Sequence, residues 1–182
     1  MTVLGAIIAG GRSTRFGADK GAALLNGRSL IDHVGDGLRS QVDALVIVGR
    51  DWPGISRVED WPESGLGPLG GLSGALRYAA AQGFATVKTA GCDVLPVWEY
   101  PPSPALARPH ILEGHYLFGH WPVSLAAPLA DHISTQSNHS MRHWLEVSGA
   151  HFIPADRTHF NLNTKDDLEG YARHLSGHPS QA

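Results

Sequence analysis

Directly after the apolar run VLGAIIA stands the segment Gly10-Gly11-Arg12-Ser13-Thr14-Arg15-Phe16-Gly17-Ala18-Asp19-Lys20. Glycines let a backbone approach an oxyanion closely, Ser13 and Thr14 offer hydroxyl donors, and Arg12, Arg15 and Lys20 bring three cations within nine residues. Such a turn suits a polyphosphate. It is not a P-loop, because no G-K-[ST] follows four residues after a glycine, and it lacks the G-x-G-x-x-G of a dinucleotide fold. The competing reading is a solvated turn that is merely basic.

Two further sites carry oxygen chemistry. Asp93 follows an apolar run and Gly91-Cys92, and a carboxylate facing a phosphate loop is a natural ligand for Mg2+, which binds through one or two carboxylates plus phosphate oxygens. A solvent-facing turn aspartate is the alternative. Cys92 has no activating base nearby in sequence and reads as a small core residue. The segment Gly65-Leu66-Gly67-Pro68-Leu69-Gly70-Gly71-Leu72 follows Glu59-Asp60 and reads as a glycine-shaped loop opening a helix. A carboxylate there, Asp60, can accept from the N1–H and N2–H2 donors of guanine, a pair that adenine lacks. Structural packing is the competing account.

The elements that must position these groups alternate. Residues 3–9 and 44–48 read as strands buried on both faces. Between them Leu30, Ile31, Val34 and Leu38 keep helical spacing behind Ser29, a candidate N-cap. A short strand at 57–59, a helix running to residue 81 and a strand at 85–90 continue the pattern. Alternation of this kind predicts an open α/β sheet, Rossmann-like and mainly parallel in three α/β/α layers, with ligands at the carboxyl ends of its strands. Five prolines between residues 96 and 109 predict a loop with at most one turn, near 105–107. Strands are expected at 111–117, 123–125 and 151–153. Helices are expected at 125–133, at 141–147 after Ser140, and at 165–175 after Thr164.

The chain has 182 residues, which predicts one domain over residues 1–176 with a short tail at 177–182. Hydrophobic residues at 42% and charged residues at 17% exclude a disordered chain. A net charge of −3 argues against a broad nucleic-acid footprint. The single cysteine excludes an intrachain disulfide, the start lacks a basic n-region, and no apolar run approaches the ~18 residues of a membrane span. A cytoplasmic setting without membrane contact is therefore expected. Glycine is concentrated: 17 of its 22 positions lie in residues 1–91. Eleven histidines include His139/His143 and His174/His178 at i, i+4 spacing, but with no nearby cysteine and no H-E-x-x-H they read as surface residues. The five tryptophans read as packing, with Trp121 also able to stack on a planar ligand.

Taken together these blocks resemble the molybdenum cofactor guanylyltransferase family, within the nucleotidyltransferases of nucleotide-diphosphosugar-transferase-like fold. The segment IIAGGRSTRFGADK resembles the family's L-A-G-G-x-S-x-R-M-G-x-D-K, and LNGRSL its L-x-G-x-x-L. Glu59-Asp60 with GPLGGL, then Gly91-Cys92-Asp93, continue the likeness, and FNLNTKDDL resembles the terminal x-N-[IV]-N-T-P-E-[ED]-L. The resemblance implies transfer of GMP from GTP to the phosphate of molybdenum-molybdopterin, with release of pyrophosphate. Ile8, Ala9, Gly10, Gly11, Ser13, Lys20, Asp60, Gly67, Pro68 and Asp93 would meet the nucleotide. Arg15, Lys20 and Asp93 would act in catalysis, Asp93 would hold Mg2+, and Asn161 and Asn163 would face the pterin. His120, Trp121 and Pro122 are further candidates for acceptor contacts, and molybdenum enzymes are candidate delivery partners.

The chain also departs from the family. Phe16 stands for a methionine, no polar side chain stands at Val48-Gly49 where the family carries a base-reading asparagine, and the usual D-x-P becomes Asp93-Val94-Leu95-Pro96 with a proline-rich stretch in place of a helix. Two other readings remain: a related transferase using another NTP or acceptor, cytidylyl or sugar-phosphate, and a catalytically weak nucleotide-binding protein that delivers cofactor.

Overall fold

The computed structural model describes residues 2–10, 19–101 and 106–177. Strand β1 (Val3–Ile8) alternates its side chains between two cores, Leu4, Ala6 and Ile8 to one face and Ile7 to the other. A strand covered on both faces needs apolar residues at every position, which is why the run is unbroken. The chain continues through a two-residue hairpin, β2 (Leu24–Leu25) and β3 (Arg28–Ser29), into α1 (Leu30–Arg39). Ser29 caps α1 by accepting from the Asp32 N–H at 3.1 Å while its hydroxyl donates to the Asp32 carboxylate.

Strands β4 (Ala44–Val48) and β5 (Ser56–Val58) precede α2 (Gly67–Gln82), which leads to β6 (Thr86–Gly91) and the short β7 (Val94–Leu95). Then come β8 (His110–Leu112), β9 (Gly119–Pro122), a 3-10 turn (Val123–Leu125), α3 (Ala126–Thr135), α4 (Met141–Val147), β10 (His151–Ile153), β11 (Phe160–Asn161) and α5 (Lys165–Gly177). The main sheet has the order β10-β8-β9-β6-β1-β4-β5, in which β9 alone runs antiparallel to its neighbours. Helices α2, α3 and α4 pack one face around Leu72, Leu76, Trp121 and Trp144. Helix α1 and Tyr171 of α5 pack the other around Ile31, Leu38, Ile47 and Phe118. The expected three-layer, mainly parallel α/β sheet is what forms. No helix among the described residues is long and apolar enough to cross a membrane.

Three expectations are corrected. The strand expected at 111–117 stops at Leu112, because Gly114 (φ 79°) turns the chain and the Leu112 N–H bonds back to the Phe118 carbonyl. The strand expected at 123–125 is a 3-10 turn, since the strand itself lies at 119–122 and ends on Pro122. The glycine loop shrinks as well: α2 starts at Gly67, so Gly70 and Gly71 lie inside the helix. There they remove bulk. A Cβ at Gly71 would stand 2.9 Å from Ile8 Cγ2, and one at Gly74 only 2.1 Å from the Glu59 carbonyl oxygen.

The proline-rich stretch has no helix among its described residues, as expected, and Ala105 of the expected turn lies outside them. It is firmly packed instead. Gln41 donates to the Trp98 carbonyl and accepts from the Tyr100 N–H, both at 3.0 Å, and the buried Tyr100 hydroxyl donates to the Thr89 carbonyl.

Candidate functional site

The carboxyl ends of β1, β4, β5 and β6 meet on one edge of the sheet. The Ala9 N–H donates to the Val48 carbonyl at 3.1 Å, carrying the chain to Gly10, and Gly49 N–H donates to Val58 at 3.0 Å. Gly49 has φ 85°, and a Cβ there would stand 2.6 Å from Gly10 Cα, so the ends of β1 and β4 touch through bare backbone. Ile8 and Ala9 are themselves buried, leaving main chain rather than side chains at this rim.

Asp60 lies beside that contact. A Cβ at Gly10 would stand 3.4 Å from its Oδ2, and one at Gly71 3.6 Å from its Oδ1. Half-burial raises its pKa, and the neighbouring Glu59 raises it further. Such a carboxylate gains from any ligand that brings N–H donors. Gly67 (φ 62°) and Pro68 begin α2 next to it, and the Trp61 N–H is tied to the Gly70 carbonyl at 3.1 Å.

At the end of β6 stands the centre of the site. Lys20, only 8% exposed, donates to Asp93 Oδ2 at 2.6 Å and to Asn163 Oδ1 at 2.7 Å. One ammonium therefore joins residues 143 positions apart in the chain. Backbone pairing makes this possible. Antiparallel β7 and β11 pair Val94 with Asn161 and Leu95 with Phe160, and the Leu162 N–H donates to the Asp93 carbonyl at 2.8 Å. Asp167 then fixes the turn before α5 by accepting from the N–H groups of Asn163 and Thr164 at 2.9 and 2.8 Å.

The structure thus brings Lys20, Asp93 and Asn163 into direct contact, with Gly10 and Asp60 along the same edge. Asn161 is exposed on β11. Gly11, Ser13 and Arg15 lie outside the described residues. Burial, then the Asp93 charge, pushes the Cys92 thiol up to about 11, which keeps it protonated at neutral pH as suits a packing residue.

The acceptor contacts expected from His120, Trp121 and Pro122 are not available. β9 lies between β6 and β8 with all four residues buried, Trp121 fully so. The Trp121 indole donates to Thr89 Oγ1 at 2.8 Å, and His120 Nε2 lies 2.9 Å from Thr86 Oγ1. His139 sits against the Ile133 carbonyl at 3.0 Å, and His178 lies outside the described residues. Among the described residues there is no group of three or more His, Cys, Asp or Glu side chains able to hold a metal by themselves.

Sequence reasoning missed Arg50, Asp167 and the β7–β11 pair. Arg50 lies two residues past β4, where strand ends carry function, and Asp167 sits three residues after Thr164 in a capping pattern. Nothing local could have announced a two-residue strand pairing across more than sixty positions.

Residues 5–151 match the model of the MobA-like NTP transferase domain. The chain belongs to this family. A molybdenum cofactor guanylyltransferase from Rhizobium leguminosarum is 33% identical over 95% of this chain and 93% of its own. Among solved structures, molybdopterin-guanine dinucleotide biosynthesis protein A from Archaeoglobus fulgidus is 22% identical, with a TM-score of 0.73 over 96% of this chain and all of that one. A Mycobacterium tuberculosis protein solved in complex with manganese is 14% identical, with a TM-score of 0.59 over 95% of this chain and 99% of that one. The two structures share the fold with this chain.

Proposed function

We propose that this chain, as one nucleotidyltransferase domain over residues 1–176, transfers GMP from GTP to the terminal phosphate of molybdenum-molybdopterin. The observation that carries the reading is the Lys20 bridge between Asp93 and Asn163 at the strand ends of a MobA-like chain. A phosphate acceptor is anionic at neutral pH and needs no strong general base, so catalysis rests on alignment and charge neutralisation. An acceptor phosphate oxygen attacks the α-phosphorus, the bond from that phosphorus to the bridging oxygen breaks, and the electron pair leaves with pyrophosphate.

Each residue has its part. The backbone at Gly10 and Gly11 and the Ser13 hydroxyl hold phosphate oxygens, while Ile8 and Ala9 support the rim beneath the nucleoside. Lys20 and Arg15 stabilise the charge that builds on the leaving pyrophosphate. The Asp60 carboxylate accepts from guanine N1–H and N2–H2 beside the start of α2 at Gly67 and Pro68. Asn161 and Asn163 present amides to the pterin side.

Asp93, together with phosphate oxygens, would hold a divalent cation, Mg2+ in this reading. The donor set fits: a single carboxylate with substrate oxygens is how Mg2+ is commonly bound at phosphoryl-transfer sites, and no all-protein cage is required. When bound, the cation neutralises phosphate charge. The Lys20 contact on Asp93 Oδ2 means that Lys20 and the cation would share that carboxylate.

The test is turnover of the purified protein with GTP, ATP or CTP, Mg2+ and molybdopterin, read as pyrophosphate release and dinucleotide formation. GTP-dependent product formation that collapses in Asp93→Asn is the expected result. Equal use of CTP and GTP overturns the guanine reading, and GTP binding without pyrophosphate release in the presence of acceptor overturns the enzyme reading.

A further inference from the structure

The ion pair between Arg50 and Asp19 lies beside the catalytic lysine without touching it. Arg50 Nη1 donates to Asp19 Oδ1 at 2.7 Å and Nη2 donates to Oδ2, a two-pronged grip. The same Asp19 Oδ1 accepts the Gly21 N–H at 3.1 Å. Asp19 therefore closes a turn whose middle residue is Lys20, and Arg50 clamps the closing carboxylate. Residue 21 is tightly enclosed: a Cβ there would meet Ile31 Cδ1 at 2.6 Å and Arg50 Nη1 at 3.1 Å.

Arg50 is itself anchored. Its guanidinium lies 5.2 Å from the Trp52 ring centre, and the Trp52 indole donates to Asp32 Oδ1 at 2.9 Å, at the start of α1. Downstream, the Ala23 N–H donates to the Lys20 carbonyl and the Ile31 N–H to the Gly21 carbonyl, both at 3.1 Å. Among the described residues, Arg50 is the cation on Asp19, and both its terminal nitrogens are occupied by that carboxylate.

We propose that Arg50 is a positioning residue: by gripping Asp19 it holds the 19–21 turn so that the Lys20 ammonium stays on Asp93 and Asn163. The mechanistic consequence rests on the GMP-transfer reading above; the geometric one does not. The experiment has two arms for that reason. In the first, surface acylation of the folded protein with an amine-reactive ester is followed by mass spectrometry at Lys20, with Lys88 as the internal control.

Wild-type Lys20 is protected by its two partners. In Arg50→Gln, which keeps the side-chain stem but loses the fork, Lys20 labelling rises several-fold while Lys88 labelling is unchanged. Asp19→Asn does the same, and the double variant adds no further increase, the signature of two residues acting through one contact. Unchanged Lys20 labelling overturns the proposal. So does a parallel rise at Lys20 and Lys88, which would assign Arg50 to the fold at large.

In the second arm, Arg50→Gln lowers kcat on the order of 100-fold, the loss expected for about 1 Å of misplacement at a catalytic group, with KM for GTP near wild type. Arg50→Lys restores part of it. A raised KM with intact kcat would instead make Arg50 a nucleotide contact and refute positioning. Should the wild-type protein fail to use GTP, the function reading falls, and the labelling arm still decides the role of Arg50.

Discussion

Lys20→Met separates the structural from the catalytic work of the buried ammonium, because methionine keeps an unbranched chain of similar length and removes the charge together with the donors to Asp93 and Asn163. In the folded protein the ammonium lies 2.6 Å from Asp93 and 2.7 Å from Asn163, with side-chain exposures of 9% for Lys20 and 29% for Asp93. Breaking a fully buried pair costs about 3–5 kcal/mol, whereas an exposed pair is worth about 1 kcal/mol or less. The partial exposure of Asp93 lets water solvate the stranded carboxylate, so a stability loss of about 1–2 kcal/mol follows, between those limits. Catalysis should suffer more. Removing one preorganised donor from a developing anion costs about 10²–10³ in kcat, and Lys20 is placed to neutralise a polyanion. The assay pairs denaturant unfolding with steady-state pyrophosphate release at saturating GTP and acceptor. A variant that loses the expected stability yet keeps kcat within about threefold of wild type would make Lys20 only the counter-ion of Asp93. The charge-neutralisation mechanism would then be wrong.

Two other outcomes follow. Asp60→Asn should abolish the preference for GTP over ATP in competition turnover, and it should stabilise the fold by a few tenths of a kcal/mol at neutral pH. Burial raises the folded-state pKa of Asp60, so the stability this group supports is present at low pH and lost as pH rises through that pKa; a lower midpoint in denaturant for the variant at pH 7 would contradict this. Burial and the nearby Lys88 push His120 down to about 4 from 6.5, so its neutral form supports the fold above pH 6.5 and that support is lost as pH falls toward 4, by no more than about 3 kcal/mol. His120→Gln should flatten the stability curve between those values, and an unchanged slope would count against it.

The first half of the fold was legible because its elements advertise themselves locally. A doubly covered strand needs an unbroken apolar run, and residues 3–8 and 44–48 supply one. Ser29 and Ser140 are good caps in front of apolar spacing, and both cap the helices they precede. The second half was harder because its determinants are distant. The family resemblance makes His120 and Trp121 candidate ligand contacts, yet a strand inserted antiparallel into the middle of the sheet buries both, and Thr86 and Thr89 accommodate their ring nitrogens. The packing of residues 98–100 is equally illegible locally, because the side chain that bonds them, Gln41, lies far upstream. Of the candidate site, Lys20, Asp93 and Asn163 were identifiable from motif residues, but their contact depends on β7 pairing with β11, which carries no local signal.

The glycine excess of residues 1–91 acquires two distinct causes. Part of it lies in the 10–17 segment, which the proposed function assigns to phosphate oxygens. Part is steric economy in the scaffold: Gly71 and Gly74 let α2 press against Ile8 and Glu59, and Gly49 lets the end of β4 touch Gly10. Both causes act on the same few ångströms, because the helix that presses on Glu59 also sets where Asp60 stands. The 161–167 segment is built differently. There position is set by side-chain bonds, Lys20 to Asn163 and Asp167 to the 163–164 turn, which can be exchanged one at a time without a backbone clash. The 161–167 segment can therefore change through single side chains, whereas at residues 49 and 74 a larger residue would strike backbone atoms of Gly10 and Glu59.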